Sequence, residues 1–101
     1  MEKIVVIGDI HTVTAFRLGG VEGVVSSPGA VKEDIAAAIN RPDAAIVLVT
    51  RELADHAGDA IGDCNLNMVK PVIVEIPGIN DQRGFGRSIM SYITEALGIS
   101  I

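Results

Sequence analysis

Residues 4–21 read IVVIGDIHTVTAFRLGGV. The first four, Ile4 to Ile7, are all apolar and mostly β-branched, as in a strand buried on both faces. Gly8 and Asp9 then turn the chain. A segment with helical signals follows and closes at Gly19-Gly20. Strand, glycine turn and helix is how nucleotide-binding α/β folds begin, so the number of glycines decides what the turn can do. A dinucleotide fingerprint needs glycine for the turn, for the approach of the pyrophosphate and for helix packing. Gly8 supplies only the first; Ile10 and Val13 bring Cβ atoms where bare backbone is required. No GxxxxGK[ST] loop occurs in the chain. The stretch therefore reads as scaffold, with Asp9 or Thr12 capping the helix.

The pattern repeats outward from this unit. The first strand spans Lys3 to Ile7, and a helix from about His11 to Leu18 turns Val13 and Phe16 inward, with Phe16 and Leu18 assigned to the core. A short strand is expected at Gly23 to Ser26. Ser27 and Pro28 have the chemistry of an N-cap and a first helical turn. Beyond them Val31, Ile35, Ala38 and Ile39 share one helical face, and Glu33 and Asp34 sit where the helix dipole favours acids. Asn40 and Pro42 end this helix. Ala44 to Val49, AAIVLV, is apolar throughout and reads as a central parallel strand. Thr50 is placed to cap a third helix, Glu52 to Ile61, with Leu53, Ala57 and Ile61 inward; Gly58, Gly62 and Asp63 weaken its end. Pro71 to Ile76 forms the fourth strand, its proline tolerated at the first position. Four β units with right-handed helical crossovers predict an α/β, Rossmann/flavodoxin-like three-layer sandwich. Its sheet is four-stranded and parallel, in the order 2-1-3-4, with an additional C-terminal helix.

After Pro77 the character changes. Residues 78–86 are rich in glycine and polar side chains and read as a hinge. Arg87 to Leu97 then forms a short helix with Phe85, Ile89, Tyr92, Ile93 and Ala96 along one stripe, and Gly98 placed beyond its end. Such a helix is marginal alone in water and needs a surface to pack on. Three parts are thus expected: a globular unit over 1–77, a hinge over 78–86 and a helix with its tail over 87–101.

At 101 residues and 49% hydrophobic content, the chain is one domain with enough apolar material to cover a small sheet. Its only aromatics are Phe16, Phe85 and Tyr92, and its net charge is −5, a poor match to nucleic acid or anionic membranes. The four charges of the last stretch, Asp81, Arg83, Arg87 and Glu95, balance, so the acidity lies in the body. No apolar run reaches the roughly 18 residues of a membrane span, and the N-terminus lacks a signal-like apolar region, so a cytoplasmic location is expected.

The chemical inventory is small. An open parallel sheet binds ligands beyond the carboxyl ends of its strands. There the sequence offers Asp9, Ser26, Ser27, Thr50, Arg51 and the Glu75–Pro77 exit. A phosphoacceptor receiver needs paired acids after strand one and an aspartate after strand three; Asp9 is single and position 50 is threonine. His11, His56 and the lone Cys64 have no metal-ligand spacing. Neither a catalytic residue, a metal nor a cofactor is expected from these residues.

The string IGDxxTVTAFRLGGV at 7–21 resembles the opening of the F subunit of the archaeal-type and vacuolar-type rotary ATPases, in which a TVTGFRLAGV core follows the first strand. Ala15 stands here for the usual glycine and Gly19 for the usual alanine. PVIVEIP at 71–77 and ALGISI at 96–101 are similar to that family's last strand and ending. The tail helix, SIMSYITEALG, carries fewer charges than is usual there. The resemblance implies a non-catalytic central-stalk (rotor) subunit that binds the coiled-coil D subunit of the stalk and reaches the catalytic A/B hexamer through its C-terminal helix, whose movement is linked to regulation of hydrolysis. The partner-binding residues expected on this reading are Arg17, Glu75, Ile76, Pro77, Phe85, Ile89, Tyr92 and Ile93, with the aromatics and isoleucines of the stripe as anchors. A stand-alone ligand-binding domain with its mouth at Gly8, Asp9, Ser27 and Thr50, or a degenerate receiver used for protein contacts, are the other readings of the same residues.

Overall fold

In the computed structural model, which describes residues 2–78, the chain alternates strand and helix. Its elements are β1 (Lys3–Gly8), α1 (Ile10–Leu18), β2 (Glu22–Val25), α2 (Val31–Ile39), β3 (Ala44–Thr50), α3 (Arg51–Ala54), α4 (Ala60–Asn67) and β4 (Val72–Ile76). The strands form one parallel sheet in the order β2-β1-β3-β4, as the sequence predicts. β1 and β3 are central, which is why their sequences are apolar at successive positions rather than alternating.

Side-chain alternation splits the core into two layers. Val5, Ile7, Val47, Val49 and Ile73 point to one face, where Val31, Ile35 and Ala38 of α2, Leu53 of α3 and Cys64 of α4 pack on them. Val6, Leu48, Val74 and Ile76 point to the other, where they meet Val13 and, at its margin, Phe16 of α1. α1 makes its main contacts with β1 and β2.

The end of α1 explains Gly19-Gly20. The Gly20 amide donates to Arg17 O (2.9 Å) and the Val21 amide to Phe16 O (3.1 Å), the paired bonds of a Schellman cap. This cap requires a left-handed residue, and Gly20 supplies it at φ 89°. Leu18, expected in the core, is instead 87% exposed: it sits one residue before the cap, on the face of α1 turned away from the sheet. Phe16 is only partly buried.

The second and third helices differ from their expected bounds. The Ser27 carbonyl accepts from the Ala30 and Val31 amides (3.0 and 2.9 Å), so the chain turns there, but regular helix starts at Val31. The expected third helix, 52–61, is two pieces. The first ends at Ala54 with Asp55 as its C-cap, Gly58 adopts φ 63° in the turn that follows, and a fresh helix runs from Ala60 to Asn67. The break redirects α4 so that Cys64, expected beyond the helix, lies on it and is buried.

An ion-pair network ties the amino ends of the strands. Arg41 donates to both oxygens of Asp43 (3.0 and 2.9 Å) and to Glu22, and Lys3 lies 3.7 Å from Asp43. The Arg41 hydrogen bonds hold the Glu22 and Asp43 carboxyls below their usual range, and those carboxylates raise the Arg41 pKa. Depressed folded-state values mean that the stabilisation is present above the unfolded carboxylate pKa, about 4, and is lost as pH falls through the folded values. Unfolding midpoints in urea should therefore fall below about pH 4. In Arg41→Ala that acid dependence should be shallower, and salt should narrow the difference because these groups are half exposed.

Candidate functional site

The carboxyl ends of the strands form a depression of about 470 Å³. Asp9 follows β1, Ser27 follows β2, and Thr50, Leu53, Asp55 and His56 come from the end of β3 and the α3 region. The structure thus assembles the mouth that the sequence outlined from Gly8, Asp9, Ser27 and Thr50.

The helix N-terminus at its edge is taken by the chain itself. Asp9 is the N-cap of α1: its Oδ2 accepts from the amides of His11 (3.0 Å) and Thr12 (3.2 Å), and its Oδ1 accepts from the Thr12 hydroxyl (2.6 Å). Burial pulls the Asp9 pKa up, but the Thr12 hydroxyl and the Thr12 and His11 amides outweigh it and leave the value lowered. The amides that a phosphate would use at this helix N-terminus are taken by a carboxylate. Glu52 and Asp55 add further negative charge to the lining, so an incoming anion meets repulsion where it would need donors. Gly8 has a packing reason of its own: a Cβ there would stand 2.8 Å from Thr50 Cγ2.

The cap is also a stability element. Asp9→Ala should cost about 1–2 kcal/mol, the upper range for N-caps, because three bonds go with it. Thr12→Val, which keeps the amide bonds and loses only the hydroxyl, should cost less. Paired thermal melts check the order.

The remaining chemical candidates are separated in space. The hydroxyl of Ser26 donates to Asp34 (2.6 Å). His11 and His56 are exposed. Cys64 is buried, its thiol pKa raised by that burial, and its Sγ lies 3.5 Å from Pro71 O. Among the described residues no three His, Cys, Asp or Glu side chains are grouped to hold a metal ion, and no helix is long and apolar enough to cross a membrane.

Of the expected partner-binding residues, four lie within the described part. Arg17 is exposed and its Nη2 donates to Gly23 O (3.0 Å). Glu75 is exposed on β4, its carboxylate 3.6 Å from Arg51 Nε, which answers why a strand otherwise apolar carries a charge. Ile76 is fully buried and Pro77 buried, so both are anchored in this chain at the exit of β4. Phe85, Ile89, Tyr92 and Ile93 lie outside the described residues, as do the hinge beyond Gly78 and the C-terminal helix. Two arrangements escaped the sequence reading. One is the Thr12 hydroxyl on Asp9, which the D-x-x-T spacing at a helix start could have suggested. The other is Asn65, which bonds the β4 backbone and has no local pattern to announce it.

Comparison with known proteins gives one consistent result. A family model described as ATP synthase (F/14-kDa) subunit matches residues 4–93. The F subunit of the A-type ATP synthase of Methanothermobacter thermautotrophicus is 42% identical over 77 residues, covering 74% of this chain and 72% of the relative. That of Pyrococcus abyssi is 34% identical over 108 aligned positions, covering 98% of this chain and 97% of the relative. The crystal structure of the F subunit of the V-type ATP synthase from Archaeoglobus fulgidus superposes with a TM-score of 0.64 at 19% identity, over 74% of this chain and 96% of that one; it supports the fold.

Proposed function

The chain belongs to the F-subunit family of A/V-type ATP synthases, and from that premise we propose that it is a non-catalytic central-stalk subunit. It binds the coiled-coil D subunit and modulates ATP hydrolysis by the A/B hexamer through its C-terminal helix. The observation that carries this reading is the reach of the family match. It runs from β1 to residue 93, and so takes in the four large residues of the apolar stripe, Phe85, Ile89, Tyr92 and Ile93, together with the sheet. A protein that works by contact also accords with a strand-end depression whose helix N-terminus is closed by Asp9.

The parts divide the work. Residues 1–77 are a rigid base, 78–86 a hinge, and 87–101 a helix that lays its stripe on a helical partner. Ile76 and Pro77 hold the start of the hinge to the base. Arg17 and Glu75 keep exposed polar atoms for the rim of a contact, where charge steers association more than it holds it. No cofactor or metal takes part, and the protein is peripheral to the membrane as part of the soluble sector.

Removing residues 79–101 and reassembling the complex tests the regulatory half of this proposal. ATP hydrolysis and its inhibition by ADP should both change. Rates and ADP inhibition equal to those of the full chain would remove the regulatory role of the tail and leave the family assignment untouched.

A further inference from the structure

An open sheet has two edges, and each offers unpaired backbone groups to another strand. Among the described residues each edge is met by a side chain at one residue. On β4, the Ile73 amide donates to Asn65 Oδ1 (2.9 Å) and Asn65 Nδ2 donates to Ile73 O (3.0 Å). An amide engaged by Asn65 is turned away from β3, so Asn65 caps both outward groups of Ile73, the second residue of β4. It does so as a neighbouring strand would, with one donor and one acceptor. On β2, the Ser26 amide donates to Gly8 O (2.9 Å); alternation then turns Val24 towards β1 and Gly23 outward. The outward Gly23 carbonyl is the one that Arg17 takes, at 3.0 Å.

We propose that Asn65 and Arg17 are edge guards, and that the β4 edge is where a second copy of this chain would pair if Asn65 were lost. β4 is the more exposed to this hazard. Its sequence, VIVEI, is β-branched and apolar apart from Glu75, the composition of strands that pair with their own copies. Two identical β4 edges can meet about a two-fold axis, antiparallel, and close the contact as a dimer. Glu75 is the second safeguard, because a charge on an edge strand disfavours pairing, but Arg51 at 3.6 Å partly offsets it. Asn65 is thus the side chain on which the edge depends. It lies on α4, which begins afresh after the turn that contains Gly58.

The test uses the full chain with Asn65→Ala, checked for native circular dichroism. Two results are expected together. The Ile73 amide should exchange with solvent roughly fivefold faster or more in dilute solution, the protection of one lost hydrogen bond. Light scattering should show dimers at concentrations where the unaltered chain is monomeric. Adding Glu75→Pro, which removes the next outward amide from an exposed edge position where proline is tolerated, should restore the monomer. Asn65→Asp, which keeps the acceptor for Ile73 N–H and loses the donor, should protect that amide and serves as the reading if the alanine variant does not fold. Unchanged Ile73 exchange, or a folded Asn65→Ala chain that stays monomeric, or dimers that persist with Glu75→Pro, would each overturn the proposal.

Discussion

Replacing Phe85 and Ile93 together by alanine should weaken binding to the coiled-coil D subunit by about 100-fold or more. The estimate rests on the usual size of anchor truncations, about 2 kcal/mol each for large side chains in a desolvated contact, with the two not strictly additive. The stripe that holds these residues also includes Ile89 and Tyr92, so the double variant removes two of its four large members. Because the proposed contact is apolar, the loss should persist at high salt. Arg17→Ala, by contrast, should act mainly on the association rate and its salt dependence. Titration calorimetry with the isolated coiled-coil partner separates these outcomes, and the unaltered pair should show a negative heat-capacity change. A double variant that binds as tightly as the unaltered chain would move the contact off the stripe. The strand-end depression is a poor substitute, since its lining combines Asp9, Glu52 and Asp55 with a single histidine.

The sheet was legible because burial on both faces writes itself into sequence. IVVI and AAIVLV have no polar interruption, and only central parallel strands require that. The order of strands was expected from flavodoxin-like folds, with handedness fixing only the sense of the crossovers. Helix boundaries were less legible, and for one recurring reason. Glycine is permissive, so a sequence shows where the chain can turn and not where it does. Gly19 and Gly20 both could have closed α1; only the positive φ at Gly20 shows which one does. Gly58 and Gly62 both weakened the expected third helix, yet Gly58 lies in the turn between the two pieces and Gly62 inside the second. At the strand ends, Gly8-Asp9 was recognisable as a turn, but the reason it suits a phosphate poorly needed atoms: the Asp9 carboxylate already lies on the amides. Edge protection by Asn65 was not legible at all, because the residue acts on a strand eight positions away.

The sharpest check on the packing is a pair of aliphatic truncations that sequence periodicity treats alike. Both Leu18 and Ile35 are expected in the core from sequence. Ile35 is fully buried among Val5, Val31, Val47 and Val49, in a layer covered by α2, where β-branched neighbours have little freedom to close a void. Ile35→Ala should therefore cost about 3 kcal/mol, the transfer of the lost carbons plus a cavity that does not collapse. In a domain of this size that lowers the melting temperature by roughly 12–24 °C. Leu18 is 87% exposed, so Leu18→Ala removes little buried surface and gains slightly in helix propensity; its effect should stay within about 0.5 kcal/mol. Equal losses from the two would mean that α1 packs further round than its Schellman cap allows. A large loss from Leu18 measured only in the presence of the coiled-coil partner would instead place that exposed leucine in the contact. The same melts, run with and without the partner, then distinguish a core residue from an interface residue by whether binding stabilisation changes.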